Sequence, residues 1–208
     1  NAASGVTGTS DFTWGIYVIS VQVGASVSIN GNTVGNAGGT FASGINLWNL
    51  PTANTVTVSG GSVTNSVVGI NVSNYDPYFG DGTSNSVIID GVSVSGGTSG
   101  IFVDDNALNG NLATIGSEIK NCTISGSTTG ILVSGSDASA NIHDNPSTIT
   151  GATIGVDVDG GSATLYRNNI TANGTGVRVK NSGNLTSTSE NFITNSTGDG
   201  IKIEATAG

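Results

Sequence analysis

Gly155-Val156-Asp157-Val158, Leu165-Tyr166-Arg167-Asn168-Asn169-Ile170 and Gly176-Val177-Arg178-Val179 follow one another closely in this chain. They contain the phrase that decides the fold: a glycine, an aliphatic residue, any residue, a second aliphatic. It occurs eight times, beginning at Gly15, Gly44, Gly69, Gly100, Gly130, Gly155, Gly176 and Gly200. The intervals are similar but unequal, longest from Gly69 to Gly100 and shortest from Gly155 to Gly176. Self-similarity at a period of roughly 20–50 residues marks a repeat architecture, in which no unit buries its apolar face without its neighbours.

A second phrase inside each repeat supports that reading. Two apolar positions sit five apart in Ile29/Val34, Val58/Val63, Ile89/Val94, Ile119/Ile124 and Leu165/Ile170. Repeat five stretches the gap to seven, Ile142/Ile149, around Asn145-Pro146, and repeat seven has Thr188 in the first slot and Ile193 in the second. From Val63 onward, in five consecutive repeats, the next glycine follows the second slot by six positions. Short alternating apolar stretches bounded by Gly, Asn, Ser and Thr read as strands. The expected fold is all-β, a parallel β-helix or β-solenoid with about seven full rungs of three short strands. Residues 1–14 would form an N-terminal lead-in strand or cap, and residues 15–208 the solenoid domain.

Composition narrows the partners. The net charge is −9, with only five Lys and Arg in 208 residues, too few for the clustered cations that nucleic-acid phosphates require. No apolar run reaches the ~18 residues of a membrane span. A single cysteine, Cys122, excludes an intrachain disulfide and reads as a small packed residue. One Cys and one His build no zinc cage, and thiol, serine-triad and P-loop signatures are absent. Asn71, Asn121, Asn169, Asn173, Asn184 and Asn195 each head an acceptor sequon, which permits glycosylation. Low charge and abundant small polar residues point to a secreted or cell-surface setting.

The glycine phrases followed by Leu165–Ile170 and by Asn191-Phe192-Ile193 resemble the repeats of right-handed parallel β-helices of the pectin-lyase-like superfamily. The resemblance spans about residues 15–204. It implies a right-handed coil and a partial asparagine stack at Asn32, Asn168 and Asn191, with Cys122 in the same slot. The superfamily includes pectate lyases, polygalacturonases, tailspikes, adhesins and epimerases, so function must be argued from a site.

Two long insertions mark the candidate site. The stretches from Val72 to Ile89 and from Val103 to Ile119 are the longest between first and second strands, and they lie at the same corner of adjacent repeats. Solenoid insertions map to one face, often the binding face. They bring Tyr75, Asp76, Tyr78, Phe79 and Asp81 near Asp104, Asp105 and Asn106. Three readings stand open: a glycan stacked on the rings and bonded by the acids, calcium held by Asp76, Asp81, Asp104 and Asp105, or ordinary solvated turns.

The resemblance also implies a catalytic order of Asn-x-Asp, Asp-Asp, His and Arg-x-Lys in polygalacturonases. Asn74-Tyr75-Asp76, Asp104-Asp105, His143 and Arg178-Val179-Lys180 stand in that order. However, His143 lacks flanking glycines and sits near the second core strand. Arg178 and Lys180 lie three repeats beyond Asp104, ~14 Å away at ~4.8 Å per rung, too far to grip one sugar unit. Lyase chemistry lacks a base, because Lys120 is the only cation before repeat six. The expected function is therefore a non-catalytic structural or adhesive solenoid, with no required cofactor. It would be part of a longer surface protein or a subunit that associates head to tail. A protein that binds or cleaves polysaccharides, as a glycoside hydrolase or polysaccharide lyase, is the alternative.

Overall fold

The computed structural model describes residues 2–3, 14–19, 26–35, 41–48, 50, 55–74, 85–105 and 115–205. Strand β1 (Ala2–Ala3) precedes the first full rung, which is β2 (Trp14–Ile19), β3 (Ser26–Asn30) and β4 (Thr33–Val34). The next three rungs repeat this order. They are β5 (Phe41–Trp48), β6 (Thr55–Ser59) and β7 (Ser62–Thr64); β8 (Ser66–Asn74), β9 (Asn85–Asp90) and β10 (Ser93–Ser95); then β11 (Ser99–Asp105), β12 (Ile115–Lys120) and β13 (Thr123–Ser125). In rungs five and six the second and third strands run together, giving β14 (Thr129–Ser134) with β15 (Ala138–Thr150), and β16 (Ile154–Asp159) with β17 (Ser162–Thr171). Rung seven is β18 (Thr175–Lys180), β19 (Asn184–Ser187) and β20 (Phe192–Thr194), and β21 (Ile201–Ile203) follows it.

Pairings between these strands are parallel, each strand bonding to its counterpart one rung away. First strands form an eight-stranded sheet, β2-β5-β8-β11-β14-β16-β18-β21. Second and third strands form the other sheet, joined into one because β15 and β17 run continuously through the corner. No helix occurs among the described residues. The molecule is an all-β parallel β-helix with seven full rungs.

Side-chain alternation puts every second residue inside. Ile16, Ile45, Ile70, Ile101, Ile131, Val156, Val177 and Ile201 are register partners in one unbroken column. A second column runs Ile29, Val58, Ile89, Ile119, Ile142 and Leu165, and a third runs from Val34 to Ile193. All three feed a single apolar core. Each fully buried aliphatic contributes about 1.5–3 kcal/mol. The expected inward ladder departs at its last member: Ile201 is 49% exposed and Ile203 79%, since β21 has a described neighbour on one side only. Repeat seven also departs by one position, because Leu165 pairs with Ser187, not Thr188.

The repeating glycine has a steric cause. A Cβ at Gly100 would lie 2.6 Å from the carbonyl oxygen of Gly130 and 2.6 Å from Cγ2 of Ile124. At Gly155 the corresponding contacts are Gly176 O at 2.6 Å and Ile170 Cγ2 at 2.8 Å. Here the chain enters its first strand across the end of the third-ladder core, and the next rung's backbone leaves no room for a methyl group. At the corner after the second ladder every rung has a residue at positive φ: Gly31, Gly60, Gly91, Asn121, Asp144 and Arg167 in rungs one to six, and Glu190 in rung seven, with Gly61 and Thr148 adding a second in rungs two and five.

Candidate functional site

Of the eight residues expected at the insertion corner, the structure places Asp104 and Asp105. Tyr75, Asp76, Tyr78, Phe79, Asp81 and Asn106 lie outside the described residues. Asp104 and Asp105 end β11, with Asp104 in register with Ser73 on one side and Ser134 on the other. Burial, with the charge of Asp105 added, pushes the Asp104 carboxyl up to about 6, against an opposing hydrogen bond from Ser134. Oδ2 of Asp105 accepts a hydrogen bond from the Asp137 backbone N–H at 3.3 Å. Carboxyls at such a strand end can accept hydroxyl hydrogen bonds. Among the described residues no three His, Cys, Asp or Glu side chains gather as a metal cage.

The polygalacturonase-like constellation is not assembled by the parts that are described. Arg178 is clamped to Asp157, Nε donating to Oδ1 at 3.0 Å and Nη2 to Oδ2 at 2.6 Å, and Asp157 is 3% exposed. Lys180 pairs with Asp159 at 2.7 Å. Lys120 holds Glu118, Arg167 holds Asp144 and Lys202 holds Glu204. All five Lys and Arg of the chain are therefore committed to carboxylates of the same or an adjacent rung.

His143 lies on a different sheet from Asp104 and Arg178. On β15 it is 6% exposed, with Nδ1 2.7 Å from Asp144 Oδ2 and Nε2 2.9 Å from Glu118 Oε1. Its ring stacks on Tyr166 of the next rung, centroids 4.5 Å apart and planes 6° from parallel. Arg167 lies 5.2 Å from the Tyr166 ring centre. The Glu118 carboxyl is held below its usual range by its hydrogen bond from Lys120, with His143 adding to the effect. Asp144 is lowered first by His143 and then by Arg167. The cluster fastens rungs four, five and six together and leaves no imidazole nitrogen facing an open cleft.

Sequence reasoning missed Asn145, the centre of the asparagine stack. Asn145 Nδ2 donates to Asn168 Oδ1 at 2.8 Å and to Ile119 O at 3.1 Å. Asn168 Nδ2 donates to Asn191 Oδ1 at 3.0 Å and Ile142 O at 2.8 Å. Asn32 does not join: it is half-buried and donates to Asn30 O in its own rung. The stack ends at Cys122, whose backbone N–H donates to Asn145 Oδ1 at 2.8 Å and whose Sγ lies 3.1 Å from Lys120 O.

Cys122 is fully buried, and burial pushes its thiol up to about 11. At pH 8 ionisation alone should slow alkylation by about 200-fold relative to an ordinary thiol. Maleimide labelling should therefore proceed at the rate of unfolding, and rapid labelling of the native protein would contradict this burial. Among the sequons, Asn173 is 1% exposed, with its amide bonded to Ile149 O and to the Ala152 N–H. Asn121, Asn184 and Asn195 are exposed.

A further group comes together only in three dimensions. Trp14 and Tyr17 stack at 4.3 Å on the first rung, and Tyr17 lies 6.3 Å from Trp48 of the second. Comparison with protein-family models, with curated proteins and with solved structures finds no match to this chain. Among the described residues no helix is long and apolar enough to cross a membrane.

Proposed function

We propose that this chain is a non-catalytic structural or adhesive solenoid, extracellular and of the pectin-lyase-like β-helix type. The observation that carries the reading is the commitment of every Lys and Arg, and of both ring nitrogens of His143, to carboxylates within the stack. Uronate hydrolysis or elimination needs an acid, a base or a cation free to meet the substrate. Here every Lys and Arg and both imidazole nitrogens are already held by carboxylates, so no cation is offered to a uronate carboxylate. The exposed sequons and the low overall charge support an extracellular setting. Ile201, Ile203 and Phe192 on the last strands, 49%, 79% and 65% exposed, support further stacking there, onto more solenoid or a second copy.

The test is incubation with pectin, polygalacturonate, alginate, xylan and glucan, followed by assay for reducing ends and unsaturated uronates. The expected result is no product above a heat-denatured control. Product formation abolished by Asp104→Asn would overturn the reading in favour of a polysaccharide-cleaving protein acting at the corner of rungs three and four.

A further inference from the structure

Three faces turn outward along the solenoid, one for each strand of a rung, and the face of the third strands differs from the other two. The residues flanking each inward aliphatic form two columns there. One runs Thr33, Ser62, Ser93 and Thr123 in unbroken register. Beside it Thr64, Ser95, Ser125, Thr150, Thr171 and Thr194 put a hydroxyl on six consecutive rungs. None of these residues is buried, and none is charged. The second-strand face is interrupted by Glu118 in one column and by Asp90, Lys120 and His143 in the next. The first-strand face carries the rings of Tyr17 and Phe102 and then Asp157, Arg178 and Lys202.

We propose that the third-strand face binds ice, its hydroxyl columns meeting the prism plane of the hexagonal lattice. Repeat and chemistry both favour this partner. Neighbouring rungs lie ~4.8 Å apart and alternate residues of one strand ~6.6 Å apart, a rectangular net of dimensions similar to the water net of that plane. Each hydroxyl both donates and accepts, as a lattice water does, whereas a carboxylate only accepts and an ammonium only donates. The two faces that carry charges therefore lack the match that this one offers. The net is also stiff, because the aliphatics behind it, Val34, Val63, Val94, Ile124, Ile149 and Ile170, are at most 1% exposed. Single hydroxyl–water contacts are weak, but on a stiff face each further contact forms within a complex already made and costs little added ordering. The net closes up toward the last rungs, where Thr171 and Thr194 Oγ1 lie 3.1 Å apart and Phe192 takes the first column. The matching area is therefore rungs two to five, ~14 Å along the axis, centred on Ser93, Ser95, Thr123 and Ser125.

The experiment holds frozen thin films of the intact protein just below their melting point and follows crystal size by microscopy, with serum albumin as the control. A second readout is the share of protein carried into slowly growing ice. The intact protein should arrest coarsening and enter the ice, where albumin does neither. Ser93→Tyr and Ser125→Tyr, each checked for an unchanged melting temperature, should abolish both effects, because a ring standing on the net lifts it off the lattice. Thr164→Tyr, the same change on the second-strand face, should leave both intact. If one face variant is unstable, the other decides. The proposal is overturned if the intact protein behaves as albumin does, if both face variants stay active, or if Thr164→Tyr is lost equally. An ice-inactive protein would leave the structural rod standing, whereas polysaccharide cleavage would defeat the non-catalytic assignment without touching the ice face.

Discussion

Gly100→Ala should destabilise the protein by about 3 kcal/mol or more, at the upper end of what overpacking costs, while Gly200→Ala should stay within ~0.5 kcal/mol. Both glycines open the same repeated phrase. A methyl group at Gly100 meets the Gly130 carbonyl oxygen and Ile124 Cγ2, each at 2.6 Å, whereas at Gly200 the nearest atom is Ile193 Cγ2 at 3.9 Å. Relief at Gly100 would require the rungs to separate, because the obstacle is backbone and not the end of a flexible side chain. A stacked-repeat protein is held by nearest-neighbour interfaces, so the damage should be local as well as large. Denaturant unfolding gives the magnitude, and hydrogen exchange should show the lost protection centred on rungs four and five. Equal effects at the two glycines would mean that the phrase is maintained for some reason other than this close approach.

The second large effect is expected at Asn168. Its side chain accepts from Asn145 Nδ2 at 2.8 Å and donates to Asn191 Oδ1 at 3.0 Å and Ile142 O at 2.8 Å, at 1% exposure. Alanine removes all three bonds and strands buried polar groups that cost about 1–3 kcal/mol each when unsatisfied. The expected loss is about 3–5 kcal/mol, since more than one such group is left. Asn32→Ala, in the equivalent slot of the first rung, removes one solvent-exposed bond to Asn30 O at 3.2 Å and should cost under ~0.5 kcal/mol. Thermal or denaturant unfolding of the two variants side by side checks the contrast. A mild effect at Asn168 would show that water or a shifted neighbour can replace its amide.

Asn32 and Asn168 show where legibility in the sequence ends. Their shared slot is visible from spacing, but the bonds that distinguish them depend on what the adjacent rung offers. Asn145 is hidden for a related reason: Pro146 and Ser147 lengthen its corner, and the pairing of β15 with β17 shifts register between Asn145 and Ile149. Spacing counted back from Ile149 therefore misplaces Asn145, although its distance from Ile142 matches that of Asn168 from Leu165. Spacing misassigns Thr188 similarly, one position past the partner that Leu165 takes. At the candidate site the insertion lengths locate the corner, and its described part, Asp104 and Asp105, carries the one strongly raised carboxyl among the described residues. The Trp14, Tyr17 and Trp48 cluster leaves no signal of that kind, because Trp48 lies a whole repeat beyond Tyr17.

What the sequence determined by itself is the architecture: strands, their inward faces and the number of rungs. Alternation within a strand is a property of neighbouring residues, and the glycine with its two aliphatics is a short local phrase, so both survive corners of any length. Tertiary structure alone decided which outward side chains meet. His143 finds Glu118 one rung before it and Tyr166 one rung after it. Arg178 finds Asp157 on the rung before its own. Those partnerships run across rungs, and their sequence separations change with every corner. No fixed spacing encodes them, and only the stacking of one turn on the next turns a run of isolated polar residues into paired charges and an amide ladder.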